Sequence, residues 1–167
     1  VDLLVEATNN SSLNPKVKCI FIGGIEDEEL GEQLRKVEHK VRVIPWTDDP
    51  WIYLKIIDVL CLPSNREGFP NVVLEAAAAG KPAIVTRATG NVDSVIDGKT
   101  GAIVDLGDVG GLVDAMNSMC SNSEKTRVMG KDAKQRVADK FQPEQIWSGL
   151  EEILSGQEAT KFARRVN

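Results

Sequence analysis

A single histidine, His39, serves a chain of 167 residues, and it stands in the charged stretch "RKVEHKVR". A solvated helix end suits it there, which leaves no histidine placed as a general base. Cysteine is nearly as scarce. Cys19, Cys61 and Cys120 are odd in number, and their spacing fits no metal site. The first two lie in the apolar runs "KVKCIFIGG" and "DVLCLPS", where reduced core thiols of a cytoplasmic protein are expected. No run approaches the roughly 18 uninterrupted apolar residues of a membrane helix. The first residues, "VDLLVEATNN", lack the basic n-region of a signal peptide. Basic excess is missing too. With 20 Lys and Arg against 25 Asp and Glu the net charge is -5, which argues against a general nucleic-acid binder.

What is present is the composition of an ordinary globular domain, 42% apolar and 27% charged, long enough to bury a core. Short apolar runs alternate with longer helical patterns. "VKCIFIG", "VRVIP", "VLCLPS", "PAIVT" and "TGAIV" predict strands, each bounded by Gly, Pro or Ser. Their near-continuous apolarity suits strands covered on both faces. Between them "EDEELGEQLRKVEH", "DPWIYLKIID" and "PNVVLEAAAAG" predict helices, and a helical tail follows the last strand. This alternation predicts an α/β fold, a parallel sheet with helices on both faces. An α/β domain ordinarily opens on a strand, whereas "VDLLVEATNN" is an amphipathic helix. A fragment whose beginning lies upstream is therefore expected. The basic end, "KFARRVN", reads as a solvated tail, with contact to a second domain or a membrane surface as the alternative.

In such folds ligands sit beyond the carboxyl ends of the strands. Two glycine loops there fail as phosphate sites. "IGGIEDEEL" lacks the spaced dinucleotide pattern, and its four consecutive carboxylates would repel a pyrophosphate while suiting the helix dipole. "DGKTG" has Asp93 where a P-loop needs its first glycine, and "GAIVDL" after it reads as strand, so a tight turn is expected.

The loop in "VLCLPSNREGFPNVVLEAAAAGKP" is different. Gly68 and Pro70 prepare a helix start, and Gly80 ends the helix. The amides around Gly68, Phe69, Asn71 and Val72 would cluster at the positive end, a site for an anion or an oxygen-rich ligand. Glu75 follows inside an apolar, alanine-rich run. Lys81 lies too far along to pair with it in a regular helix. The carboxylate therefore either faces a pocket, where it accepts from ligand hydroxyls, or is an exposed helix carboxylate.

"LPSNREGFPNVVLEAAAAGKPAIVT" closely resembles the signature of the retaining glycosyltransferases of family four, within the GT-B fold. That pattern is Pro-Ser, a Glu-Gly-Phe loop, a second Glu after seven residues, then Ala-x-Gly-x-Pro. "IFIGGIEDEEL" and "ATGNVDSVIDGKTGAIVDLGD" resemble the flanking segments, and the similarity extends over residues 1 to about 150. It implies the C-terminal, nucleotide-sugar-binding half of a two-domain enzyme. By this resemblance Glu75 binds the ribose hydroxyls. Glu67 binds hydroxyls of the transferred sugar, near the positive charge developing at its anomeric carbon. The amides of Gly68, Phe69 and Asn71 line the diphosphate-sugar pocket, and Ser64 ends the strand beneath it. Pro45 and Trp46 fall where the family's base rests, with Trp46 as a core residue the alternative. Gly90 lies in another loop at the same edge. There the family has Gly-Gly and a later Glu, whereas this chain has Asn91 after Gly90 and Asp93 near the Glu position.

The resemblance also implies absences. The family's diphosphate-binding Arg and Lys precede the helix that "VDLLVEA" resembles, and the acceptor-binding N-terminal domain precedes both. The family's first strand, ordinarily mid-sheet between "VKCIFIG" and "VLCLPS", is missing. Either the residues are truncated or those two strands meet directly. The expectation is thus a Rossmann-like domain over residues 1–155 and a basic tail over 156–167. The parent enzyme is expected to be a cytoplasmic glycosyltransferase, at the inner face of a membrane or free of it. It would take a nucleotide-diphosphate sugar as donor, without cofactor or metal, and act with retention on a glycan, lipid or other acceptor. The rivals are a nucleotide-binding module without turnover and a GT-B relative such as a sugar epimerase.

Overall fold

Every expected strand forms, and every pairing between strands is parallel. The computed structural model describes residues 1–25, 27–142, 147–148, 150–151 and 154. The elements run α1 (Asp2–Asn9), β1 (Cys19–Ile22), α2 (Glu28–Lys36), β2 (Val41–Ile44), α3 (Trp51–Ile56), β3 (Leu60–Leu62), α4 (Asn71–Ala78), β4 (Ala83–Thr86), β5 (Gly101–Val104), α5 (Val109–Ser121) and α6 (Ser123–Lys140). Most of the helix expected over 143–156, and the whole basic tail, lie outside the described residues. Positions 147–148, 150–151 and 154 are helical.

β4 shows why the apolar runs became central strands. All four of its residues are buried, and alternate side chains enter opposite layers. Ile84 joins a core with Leu4 and Val5 of α1, Cys19 of β1 and Leu112 and Val113 of α5. Ala83 and Val85 join the other side, with Val73 of α4 and Val95. Helices therefore cover both faces, as expected. After β1 and β5 a polar cap begins the next helix. Asp27 accepts from the Leu30 amide at 3.1 Å, and Asp108 accepts from the Gly111 amide at 2.8 Å. The acidic turn after Gly23 and Gly24 thus serves its own helix. "DGKTG" is the tight turn expected, with Gly98 at φ 71° and β5 beginning at Gly101.

The strands divide into two sheets, β1-β2 and β3-β4-β5. The idea that β1 and β3 meet directly is therefore corrected: no ladder joins them. Their layers are held together by helices instead, since Leu4, Val5 and Ala7 of α1 share one core with Cys19 of β1 and Ile84 of β4.

Two features place α6. Asn122 ends α5 and also begins α6, accepting from the Lys125 amide at 3.0 Å. Thr126 of α6 donates back to the Met119 carbonyl at 2.8 Å. Further on, Gly130 rests on the end of α4. A Cβ at this position would collide with the Gly80 carbonyl oxygen and lie 2.9 Å from its carbonyl carbon. Helix propensity alone favours alanine there by about 1 kcal/mol. Overpacking against rigid backbone opposes it by about 1–3 kcal/mol. Gly130→Ala is therefore expected to lower the urea midpoint. A raised midpoint would mean that α6 can slide off Gly80 without loss.

Candidate functional site

The chain leaves β3 through residues 63–70 and turns into α4 at Pro70, whose φ of -79° and extended ψ suit a helix entry. No side chain caps this end. The amides of a first helical turn have no acceptor within their own helix, so those of Asn71 and Val72 point outward as donors. At the far end Gly80 takes φ 77°, its amide donating to Ala77 and that of Lys81 to Ala76, both at 2.8 Å. This closes the helix as expected of a C-cap glycine. Between the ends, Val73, Ala76 and Ala77 are buried, while Glu75 is half-buried at the margin of that face. Glu67 is also half-buried. Neither carboxylate has a hydrogen-bond or ion-pair partner among the described residues.

A second loop, between β4 and β5, locks onto the first. The Glu67 amide donates to the Thr89 carbonyl at 3.1 Å. Gly90 has φ 84°, and a Cβ on it would collide with the carbonyl oxygens of Gly68 and Glu67. Only glycine meets both demands. Beneath the contact, the buried Thr86 hydroxyl donates to the Ser64 carbonyl and accepts from the Asn91 side-chain amide at 3.1 Å. The Ser94 hydroxyl donates to the Asn91 carbonyl at 2.6 Å. Asn91 is fully buried, and its side-chain oxygen has no partner among the described residues. Gly68 differs from Gly90: a Cβ there would meet no protein atom within 4 Å. Protein packing does not demand glycine at 68.

The structure thus brings Ser64, Glu67, Gly68, Gly90 and Asn91 together, with Phe69 and Asn71 on the same loop and helix start. Asp93 lies in the second loop with its side chain exposed. What engages it is its carbonyl, which accepts from Arg136 at 2.6 Å. Pro45 and Trp46 follow β2 in the other sheet, and the described residues show no hydrogen bond from them to these loops. Trp46 is 70% exposed, which removes the core alternative. Arg136 and Phe141 were missed. The guanidinium lies 4.9 Å from the Phe141 ring centroid, and that ring lies 5.6 Å from Phe69. Their five-residue separation in "QRVADKF" carries no family motif and no local chemistry.

The thiols lie apart from this cluster. Cys19 is buried within 3.6 Å of the Thr8 hydroxyl, and burial raises its thiol pKa. The Cys61 thiol is pushed up to about 12, chiefly by burial and then by neighbouring Cys19. Neither is suited to act as a thiolate. A large open groove, about 880 Å³, runs elsewhere, along α2 and β2. Its lining mixes Asp27, Glu28 and Glu32 with Arg35 and Arg42, and none of the expected site residues takes part in it. Among the described residues no three His, Cys, Asp or Glu gather as metal ligands, and no helix is long and apolar enough to cross a membrane.

The profile of "Glycosyl transferases group 1" matches residues 1–136. The chain belongs to that family. It is 32% identical over 143 residues to the capsular polysaccharide biosynthesis glycosyltransferase CapM of Staphylococcus aureus, covering 83% of this chain and 38% of CapM. It is 33% identical over 117 residues to the N-acetyl-alpha-D-glucosaminyl L-malate synthase of Bacillus anthracis, covering 70% of this chain and 31% of that enzyme. The group 1 chain therefore spans about a third to two-fifths of the length of these relatives. In fold it matches HepE of Anabaena, solved in complex with UDP, at a TM-score of 0.84 and 23% identity over 93% of this chain and 44% of HepE. This is the architecture of the C-terminal half of a GT-B glycosyltransferase.

Proposed function

We propose that this chain is the donor-binding half of a retaining glycosyltransferase that takes a nucleotide-diphosphate sugar. Its partner in the cleft would be an N-terminal acceptor-binding domain of the same polypeptide. The observation that carries the reading is the pair of partnerless carboxylates, Glu67 and Glu75, on either side of an uncapped helix start. In this reading Glu75 accepts from the ribose hydroxyls. The amides of Gly68, Phe69 and Asn71 meet the diphosphate, helped by the α4 dipole. Glu67 accepts from hydroxyls of the sugar being moved. As the bond from the anomeric carbon to the diphosphate breaks, negative charge grows on the leaving group and positive charge on the sugar. Fixed amides on one side and a carboxylate on the other stabilise that separation without reorganising. Open space at Gly68 lets a ligand approach the backbone, and that need accounts for a glycine which packing does not require.

Pro45 and Trp46 are proposed to meet the base, and the Gly90 turn, with Asp93, to border the sugar. HepE has been solved with UDP and with UDP-glucose, which makes uridine donors the first compounds to try. Glu75→Ala in the full-length protein is expected to weaken donor binding by about 1–3 kcal/mol, the worth of charge-assisted hydrogen bonds. Titration calorimetry against UDP-, GDP- and ADP-sugars checks it. Unchanged affinity for the preferred donor would remove Glu75 from the ribose. No binding of any nucleotide sugar by the unaltered protein would remove the transferase reading itself.

A further inference from the structure

The last turns of α6 reach both loops of the candidate site. The Arg136 guanidinium donates to the Ser94 carbonyl at 2.9 Å and to the Asp93 carbonyl at 2.6 Å. These two carbonyls close the turn that begins at Gly90, where the Asn91 and Ser94 amides bond back to Ala88 and Asn91. A planar fork holding two successive carbonyls fixes both height and angle of that turn, which a point charge cannot do. The other side of the guanidinium lies over Phe141, and Phe141 packs against Phe69 of the Glu67 loop at a 40° tilt. Arg136 is partly buried, and desolvation lowers its pKa while Asp93 opposes that shift. A charge kept in this setting is held by the bonds it makes.

The contacts form a closed triangle. Arg136 holds the Gly90 turn, the Gly90 turn lies against the backbone of Glu67 and Gly68, and Phe69 leads back through Phe141 to Arg136. We propose that Arg136 is a positioning residue of the donor site, setting the Gly90 turn against the Glu67 loop, with Phe141 as its relay. Its consequence for catalysis rests on the transferase reading, but the mechanical coupling does not.

The test uses hydrogen exchange and kinetics on the full-length protein with Arg136→Ala, Arg136→Lys and Phe141→Leu. In Arg136→Ala, amides across 88–95 and the amide of Glu67 are expected to exchange about tenfold faster or more, as charge-assisted bonds are lost. Amides of β4 are expected to keep their rates. Turnover with the nucleotide sugar is expected to fall about tenfold, reflecting the same lost bonds, with little change in affinity for free nucleotide. Lysine is expected to restore only part of both, and Phe141→Leu to loosen the Glu67 loop more than the turn. Equal acceleration in β4, an unchanged Glu67 amide, or full recovery with lysine would each overturn the proposal. If Arg136→Ala fails to fold, the other two variants decide by the same amides. If the unaltered protein neither binds nor turns over a nucleotide sugar, the function fails while the exchange result stands or falls by itself.

Discussion

Glu67→Ala is expected to lower turnover by about two to three orders of magnitude, the usual effect of removing one fixed group that stabilises transition-state charge. Affinity for the free nucleotide is expected to stay nearly constant. The contrast follows from position. Glu67 is half-buried in the loop before α4, its amide is pinned to Thr89, and its carboxylate has no partner among the described residues. It is held in place yet uncommitted, which suits a group that acts on a passing substrate. Glu75 sits within α4 beyond the helix start, so in the proposed reading the two glutamates would address different parts of one ligand. Steady-state rates with the nucleotide sugar and calorimetry with the nucleotide separate them. Equal losses for nucleotide and nucleotide sugar in Glu67→Ala would put Glu67 on the nucleotide instead. Glu67→Gln keeps the shape and an acceptor oxygen, so its binding loss is expected to be the smaller while its rate loss persists.

Gly90→Ala is expected to be the most destabilising of the substitutions considered, by about 2–6 kcal/mol. Two terms add. Left-handed backbone at a non-glycine residue costs about 1–3 kcal/mol, and forcing an atom into rigid packing costs about 1–3 kcal/mol more. The second term arises because the new methyl would strike the carbonyls of Gly68 and Glu67. Gly98→Ala is the control. Its φ of 71° has the same sign, but nothing lies within 4 Å of a Cβ there. Urea unfolding of the pair therefore isolates the collision. Equal losses at the two positions would show that the loops are free to part. Against a typical total of about 5–15 kcal/mol, the loss at Gly90 is a large share of the whole and readily measured as a shift of the urea midpoint.

The strands and the main helices were legible because each was written in one local code. "AIVT" is apolar throughout because β4 is covered on both sides, and "NVVLEAAAAGKP" carries both its helix and its stop. The Glu67 to Glu75 stretch was legible for the same reason: loop, helix start and carboxylates are contiguous. The rest depends on contacts between distant residues. Gly90 was placed at the site's edge by the resemblance alone, because its need for glycine comes from a backbone more than 20 residues earlier. Arg136 drew no reading from the sequence, because the carbonyls it holds belong to another loop. The relation between β1 and β3 stayed open, because neither strand states its neighbour. Trp46 offered two settings, and its exposure removes one of them, the core.

Asn122 gives the fold a further property. α5 buries Leu112 and Val113 in the layer shared with α1, to which α6 adds Met129, while Gly130 of α6 lies against the end of α4. One residue joins them, and Thr126 reaches back across the joint. So short a connection couples the unfolding of α5 to that of α6. The two faces of the sheet are expected to open as a single cooperative unit, with no stable half-folded form between. The side chains of Asn122 and Thr126 act as the rivets of that joint.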